Sequence, residues 1–470
     1  MTPIRSVLEK KDGSRANQYL AGISACIALF TAGIHVGWPA PSLKIILSTE
    51  YPFRISEDEG SYIVITSCLG HIVGAMTASA LADTIGRKWA LLSISLPQLA
   101  ALMMICTSYH TKYLLYCARI IGGISEGAVL AVLPTYMAEV AEPEIRGFLG
   151  TFMSFVFVLG VLFVNIVGSH LDIYTTALIG MIFPVLYWVV FINFPETPYY
   201  YFMKGRPEQA VKSLKILRRK NSVWKEAESL SADVDRQMSE SGGYLDLFRV
   251  SSNRKAFFLV AAARIFQQLT GASAYGLYCQ LLIGGSTKLS PVLGSCLLMV
   301  TQLTVICVSS LFIDKIGRKP LFTLSSGLSC LVLFIQASFS ILKTYSGLDL
   351  SFMHWFPVLV MVFFVSFFTM GLGVGLNIFV SEIFSSSIKA KALSLSSIVY
   401  SFSMMASIKY YQYTADNYSL AVTFYTFAFC TLIGTFFFKF FLPETKGKTL
   451  ETIQQELKGR KKKMPFRAQS

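Results

Sequence analysis

Two groups of residues in this chain could do chemistry, and both suit binding or latching rather than bond making. The run Asp83-Thr84-Ile85-Gly86-Arg87-Lys88 returns nearly half a chain later as Asp314-Lys315-Ile316-Gly317-Arg318-Lys319. Glu139 precedes Arg146 as Glu382 precedes Lys389, and Pro195-Glu196-Thr197 is echoed by Pro443-Glu444-Thr445. Carboxylates beside cations at one membrane face suit an ionic latch between helix bundles. A half-buried pair adds little net stability, yet removal of one partner leaves a stranded charge. Lys389 stands where the first half has Arg146, and an ammonium cannot make a two-point fork, so a looser second latch is expected. Simple topogenic charge is the competing reading of the basic turns. The second group is Gln267 and Gln268, adjacent amides in an apolar segment. Such amides are costly in a membrane unless they bond another helix, water or a polyol. Tyr275 and Tyr278 fall on roughly the same helical face, and interhelical packing is the alternative role for the whole group.

Machinery for catalysis is not evident. No nucleophile–base arrangement and no metal motif such as His-Glu-x-x-His occurs, and the five histidines form no ligand cluster. The nine cysteines lie mostly in apolar stretches without paired spacing and read as small buried residues. No enzyme activity, metal or cofactor is expected.

The elements that must position these residues are membrane spans. The chain has 470 residues, 53% hydrophobic and 14% charged, with mean hydropathy +0.55. Twelve apolar runs are long enough to cross a bilayer core of about 30 Å. They lie near 19–45, 60–82, 89–108, 112–138, 147–170, 174–193, 255–284, 290–313, 319–342, 355–384, 391–413 and 419–441. The first run is a full-length span behind a polar arm, which does not fit a cleavable signal peptide. The repeated landmarks in the same order imply a duplicated six-helix unit, the plan by which many carriers build a central site. The expected organisation is an arm over 1–18, a six-helix bundle over 19–193, a cytoplasmic loop over 194–254, a second bundle over 255–442 and a basic tail over 443–470. Within the loop, Pro207 suits a first helical position, and Ala210, Val211, Leu214 and Leu217 follow at helical spacing. A short amphipathic helix at the cytoplasmic face is expected there, with another across 223–240.

The formal net charge of +14 points to topology. Only six Lys or Arg (Lys44, Arg54, Lys112, Lys288, Lys343 and Lys409) fall on one side of the expected spans, and Arg119 and Arg264 lie within or near spans. The others gather in the arm, the even-numbered turns, the loop and the tail. That asymmetry puts both termini in the cytoplasm and argues against a nucleic-acid partner.

As an ordered set, these motifs resemble the sugar porter family of the major facilitator superfamily over nearly the whole chain. The resemblance rests on Asp83-x-x-Gly86-Arg87-Lys88, Arg119-x-x-Gly122-Gly123, Pro134-x-Tyr136-x-x-Glu139 through Arg146-Gly147, and Pro195-Glu196-Thr197-Pro198. It continues through Gln267-Gln268-Leu269-Thr270-Gly271, Asp314-x-x-Gly317-Arg318-Lys319 and Pro443-Glu444-Thr445-Lys446-Gly447. Gly37-Trp38-Pro39-Ala40-Pro41 and the Tyr199-Tyr200 segment are similar to insect facilitated trehalose transporters. The resemblance implies an all-α membrane fold of twelve helices in two pseudo-symmetric bundles. It places Gln267 and Gln268 on a sugar and Gln302 where the family usually has a sugar-contacting Asn. It also implies a gating network of Asp83, Gly86, Arg87, Lys88, Arg119, Glu139, Arg146, Glu196, Asp314, Gly317, Arg318, Lys319, Glu382, Lys389 and Glu444.

Several positions depart from that pattern. Ala272-Ser273 stands where an Asn is expected, and Ser154 where a sugar-binding Gln is usual. The tenth span reads Gly371-Leu372-Gly373-Val374-Gly375-Leu376-Asn377 in place of a proline-containing run ending in Trp; its glycines still permit bending, and Asn377 supplies an amide. Tyr400-Ser401 stands where many glucose carriers have Asn-Trp. His35 occupies the place of an Asp in proton-coupled relatives, which favours facilitated diffusion, although a histidine can titrate near neutrality. Ser154, Ser273, Asn377 and His35 thus join Gln267, Gln268, Gln302, Tyr275 and Tyr278 as candidate pocket residues.

The resulting expectation is an alternating-access sugar uniporter, for trehalose or a hexose, in the plasma membrane; a monomer suffices. The alternatives are a non-transporting nutrient sensor on the same scaffold, a carrier of another small solute, and a proton-coupled sugar symporter. Asn417-Tyr418-Ser419 is a glycosylation triplet in an outer loop.

Overall fold

A computed structural model of the protein describes residues 14–49, 51–239, 243–286, 289–345, 351–384, 388–446, 448 and 450–457. Every regular element among them is a helix. The first bundle comprises α1 (Ala16–Gly37) with its continuation α2 (Pro39–Ile46), α3 (Glu57–Ile85), α4 (Arg87–Cys106), α5 (Tyr113–Val140), α6 (Pro143–His170) and α7 (Ile173–Phe191). Four short helices cross the loop: α8 (Pro198–Met203), α9 (Pro207–Arg218), α10 (Trp224–Ser239) and α11 (Tyr244–Arg249). The second bundle comprises α12 (Ser251–Gln268) with α13 (Ala272–Ser286), α14 (Pro291–Ile316), α15 (Arg318–Tyr345), α16 (Phe356–Phe368) with α17 (Gly375–Ile383), α18 (Lys389–Asn417) and α19 (Leu420–Phe440). A tail helix, α20 (Leu450–Leu457), follows.

Each bundle buries its own aromatic-rich core. Leu29, Leu133, Tyr136, Tyr187 and Phe191 pack together in the first; Phe322, Leu376, Phe379, Phe384 and Phe438 do so in the second. A further cluster draws on both halves. It sets Ala40, Leu43, Val64 and Ile65 against Tyr275, Leu277, Tyr278 and Leu282, at the ends of the helices away from the central loop. Large apolar side chains such as Leu96, Ile182, Val189 and Leu293 face outward, where lipid tails solvate them as well as protein would.

Ten of the described helices, counting joined pairs, are long and apolar enough to cross a membrane. The seventh and eleventh expected spans fall short of that measure for visible reasons. The chain over 255–284, read as one helix, breaks between α12 and α13 at Gly271, whose φ is +80°. A Cβ there would sit 2.3 Å from the Phe427 ring, so only glycine fits. Helix α18 carries Lys389, Lys391, Lys409 and Asp416 among many serines and tyrosines. The tenth span also departs from one continuous helix. A π-helical turn over Thr369–Gly373 separates α16 from α17, so the glycines without proline do open the helix. Broken helices at mid-membrane release backbone carbonyls that must find partners inside the protein.

Loop helix α9 docks on the first bundle, whereas Leu247 of α11 packs into the core of the second. Ala210, Leu214 and Leu217 of α9 are fully buried, Asn17 Nδ2 donates to the Ile216 carbonyl at 2.6 Å, and Arg218 donates to the Val140 carbonyl at 2.7 Å. The amphipathic stripe read from the sequence therefore covers protein. The tail from Lys458 onward lies outside the described residues.

Candidate functional site

The repeated motifs build the same clasp twice at the face that carries the central loop. Gly86 and Gly317 link consecutive helices at φ/ψ of +102°/158° and +100°/158°, a conformation that side chains with a Cβ rarely adopt. Each turn presents backbone N–H groups to a carboxylate. Both oxygens of Glu196 accept from the Lys88 N–H at 3.0 Å. Glu444 accepts from the Arg318 and Lys319 N–H groups at 2.9 and 3.1 Å. Beside it, Arg87 Nε meets Glu139 at 3.1 Å, and Arg318 meets Glu382 through Nε at 3.2 Å and Nη2 at 2.7 Å. Thr197 Oγ1 donates to Glu139 at 2.6 Å, and Thr445 Oγ1 donates to Glu382 at 2.7 Å. Matching residues in matching places express the duplication in three dimensions, although the second clasp engages one more N–H and a two-point fork.

The two copies differ electrostatically. Burial pushes the Glu196 carboxyl above the usual carboxylate range, against the opposing pull of the Thr197 and Lys88 N–H groups. Burial also raises Glu444, but the N–H groups of Lys446, Arg318, Lys319 and Thr445 outweigh it and hold that carboxyl below the usual range.

This geometry corrects parts of the sequence reading. The clasp pairs described here join residues of one bundle, not of two; among the described residues no ion pair bridges the bundles at this face. Arg146 does not serve Glu139: it is exposed and donates to the Ala141 carbonyl at 3.1 Å. Among the described residues no carboxylate lies within 4.0 Å of Lys389, and Arg318 supplies the fork to Glu382, so the second clasp is not the looser one. Asp83 pairs with Arg87 at 3.1 Å, and Lys88 Nζ donates to the Ile192 carbonyl at 2.8 Å. The Asp314 side chain lies outside the described residues.

The bundles do meet through polar contacts at the opposite face. Lys409 Nζ of α18 reaches Asp58 at 2.7 Å and Ser61 Oγ at 3.0 Å on α3. Its ammonium lies 4.4 Å from the Tyr62 ring centroid. Asn165 Oδ1 of α6 accepts from Gln280 Nε2 at 2.7 Å and Ser295 Oγ at 2.9 Å. Sequence reasoning missed all of these; Lys409 and Asn165 were visible as polar residues in apolar runs but belong to no repeated motif. The bundles are thus joined at the face away from the central loop, while the clasp charges fold back into their own halves.

Between these faces a small cavity is lined by Arg119, Glu126, His71, Ser67, Tyr400 and Ser401, among others. Arg119 is buried here, between the two faces and away from the clasps. It donates to the Ile63 carbonyl at 3.3 Å, to the His35 carbonyl and to Ser67 Oγ at 2.9 Å. Glu126 lies 3.4 Å from His71 Nδ1, and the His71 and Tyr400 rings are 6.1 Å apart. Arg264 of α12 stands 5.4 Å from the Tyr400 ring centroid. It donates to Gln267 Oε1 at 3.0 Å and Asn377 Oδ1 at 2.8 Å. Glu126 and His71 were not singled out from sequence, and Arg264 and Tyr400 were noted there only as a cation near a span and a departure from the family pattern, although an ionisable residue inside a span is itself a signal.

The expected pocket residues separate into two sets. Gln267 Nε2 donates to the Leu372 carbonyl at 2.6 Å, satisfying a backbone group freed by the π-helical turn. Gln268 Oε1 accepts from Ser273 at 2.6 Å, and its side chain lies beside Tyr400. With Asn377 these residues gather around Arg264 and Tyr400. The others sit elsewhere. Tyr275 stacks on Phe364 at 4.7 Å and Tyr278 on Tyr411 at 5.0 Å, in the apolar cluster shared by the two halves. His35 is buried in the first bundle against Gly122. Gln302 and Ser154 are half-buried and make no hydrogen bond among the described residues. Asn417 is exposed at the end of α18.

Comparison with known proteins agrees with this architecture. A family model described as sugar (and other) transporter matches residues 18–457. A facilitated trehalose transporter of Drosophila virilis is 28% identical over 453 residues, covering 95% of this chain and 49% of the relative. One from Bombyx mori is 28% identical over 460 residues, covering 97% and 89%. The chain spans about half the length of the fly relatives it matches. Among solved structures, the proton:xylose symporter XylE bound to 6-bromo-6-deoxy-D-glucose aligns with a TM-score of 0.78 at 20% identity, over 94% of this chain and 99% of that one. The inward-open xylose transporter XylE from E. coli aligns at 0.77 and 20% identity, over 93% and 99%.

Proposed function

The chain belongs to the sugar (and other) transporter family, and on that premise we propose that it is a facilitative carrier of a sugar, trehalose or a hexose, working by alternating access. The observation that carries this reading is the opposition of two faces: Lys409–Asp58 and the Asn165 bonds close the outer side, while the repeated clasps satisfy their charges within each bundle. A rocking motion that opens the outer contacts would bring the two inner clasps together, and their carboxylates and guanidiniums suit re-pairing across the cleft. Cargo would lie near Gln267, Gln268, Asn377 and Tyr400, where broken helices offer amides and backbone to hydroxyl groups. The half-buried Gln302 and Ser154 extend this proposed site. We place the carrier in the plasma membrane with both termini cytoplasmic, from the distribution of Lys and Arg.

The test is uptake of labelled trehalose and glucose into proteoliposomes holding the purified full chain. Saturable uptake that unlabelled sugar inhibits is expected; stoichiometric sugar binding without flux would instead establish a sensor.

One observation favours a second reading, proton-coupled symport. The Glu126–His71 pair lines the central cavity, which restores a carboxylate that the His35 position lacks. An inward proton gradient should then accumulate sugar above its outside concentration, whereas a uniporter only equilibrates it.

A further inference from the structure

Arg264 is incompletely satisfied in a way that the buried arginines Arg87, Arg119 and Arg318 are not. Arg87 and Arg318 each meet a carboxylate within about 3 Å. Arg119 has two carbonyls and a hydroxyl, one for each of its nitrogens. Arg264 donates only to the amide oxygens of Gln267 and Asn377, and its buried Nε has no partner. Among the described residues no carboxylate lies within 4.0 Å of it. Its guanidinium is packed over Tyr400, which also lines the central cavity. Between the two faces two guanidiniums, Arg119 and Arg264, therefore stand against one carboxylate, Glu126, and protonation of His71 would only enlarge the positive excess. Ionisable groups inside a membrane pair with one another or mark a substrate path, and a fixed guanidinium matches a carboxylate with two parallel hydrogen bonds.

We propose that Arg264 is the counter-charge for a carboxylate on the cargo, so that the transported class is a sugar acid or a similar polyhydroxy monoanion. Gln267 and Asn377 orient the guanidinium, because each holds one of its terminal nitrogens and Gln267 is itself anchored to the Leu372 carbonyl. Tyr400 covers its face and keeps the charge directed along the cleft. The inference rests on the sugar-carrier reading and moves its cargo from a neutral sugar to a sugar acid.

The experiment measures uptake of labelled D-glucuronate and D-glucose side by side into proteoliposomes holding the full chain. Saturable glucuronate uptake is expected, with unlabelled glucuronate competing at least tenfold better than glucose at equal concentration. Arg264→Gln should lower the glucuronate-to-glucose uptake ratio at least tenfold; Arg264→Lys, a cation without a fork, should fall between. If Arg264→Gln does not reach the membrane, the wild-type competition decides alone. Glucose carried without glucuronate, or an unchanged ratio in Arg264→Gln, overturns the carboxylate site and leaves the sugar carrier standing. Absence of flux and competition for both solutes overturns the two together.

Discussion

Glu196 grips the backbone of Lys88 with both carboxylate oxygens at 3.0 Å, across the turn that Gly86 makes. The same contact fixes the turn's tolerance. A Cβ at Gly86 would lie 2.2 Å from Glu196 Oε2, and one at Gly317 would lie 2.8 Å from Glu444 Oε2. Both positions also carry φ near +100°, where a side chain costs about 1–3 kcal/mol of strain. Gly86→Ala should therefore destabilise more than Gly317→Ala, since it must also displace a buried carboxylate. Thermal unfolding of the two purified variants tests this; a larger loss from Gly317→Ala would mean that the clasps do not set the turns.

The opposite displacement of the two clasp carboxyls gives opposite pH dependences. Glu196 titrates above its unfolded value, so its contribution is complete below the unfolded pKa and is lost as pH rises through the folded one. Glu444 titrates below its unfolded value, so its contribution is present above the unfolded pKa and is lost as pH falls through the folded one. Between pH 7 and 4, wild type should gain stability relative to Glu196→Gln on acidification and lose it relative to Glu444→Gln. Melting curves of the three proteins across that range would show two differences of opposite slope. Parallel slopes would remove the electrostatic distinction between the halves.

Lys409 binds Asp58, Ser61 and Gln412 at once, at the only face where described ion pairs cross between the bundles. Exposed pairs of this sort are individually worth at most about 1 kcal/mol, which is still a several-fold change in a balanced two-state equilibrium. Lys409→Ala should shift the carrier toward an outward-open state. In a cysteine-depleted background, a reporter cysteine at Ser61 should then react faster with a membrane-impermeant maleimide added outside. No change in rate would show that the Asn165 contacts alone hold the outer side shut.

The fold was largely legible in the sequence because duplication wrote each landmark twice. Asp-x-x-Gly-Arg-Lys and Pro-Glu-Thr located both clasps, and the structure closes them with matching residues. Partner choice within the clasps was not legible. Sequence adjacency suggested Glu139 with Arg146 and Glu382 with Lys389, whereas the chain reversal at each glycine brings Arg87 and Arg318 to those carboxylates instead. The central charges were hidden for another reason. Glu126, His71, Arg264 and Tyr400 stand on four separate helices and converge only when the bundles face each other, so no spacing within one segment announces them. The broken seventh span was half legible. Gly271 was visible, but the Phe427 ring that forbids a Cβ there comes from the last span.

Gln268 connects that break to the cleft, because its amide holds Ser273 across the interruption at 2.6 Å and lies beside Tyr400. Gln268→Ala would remove a polar contact proposed for cargo. Uptake should fall at least tenfold, the scale of one or two lost hydrogen bonds of about 1–1.5 kcal/mol each. Ser273→Ala removes only the bond across the break and should cost no more than about threefold. Comparing both variants at equal amounts of membrane-inserted protein separates the two roles. If Ser273→Ala is as damaging as Gln268→Ala, the glutamine acts by bracing the broken helix, and its place against the cargo is lost.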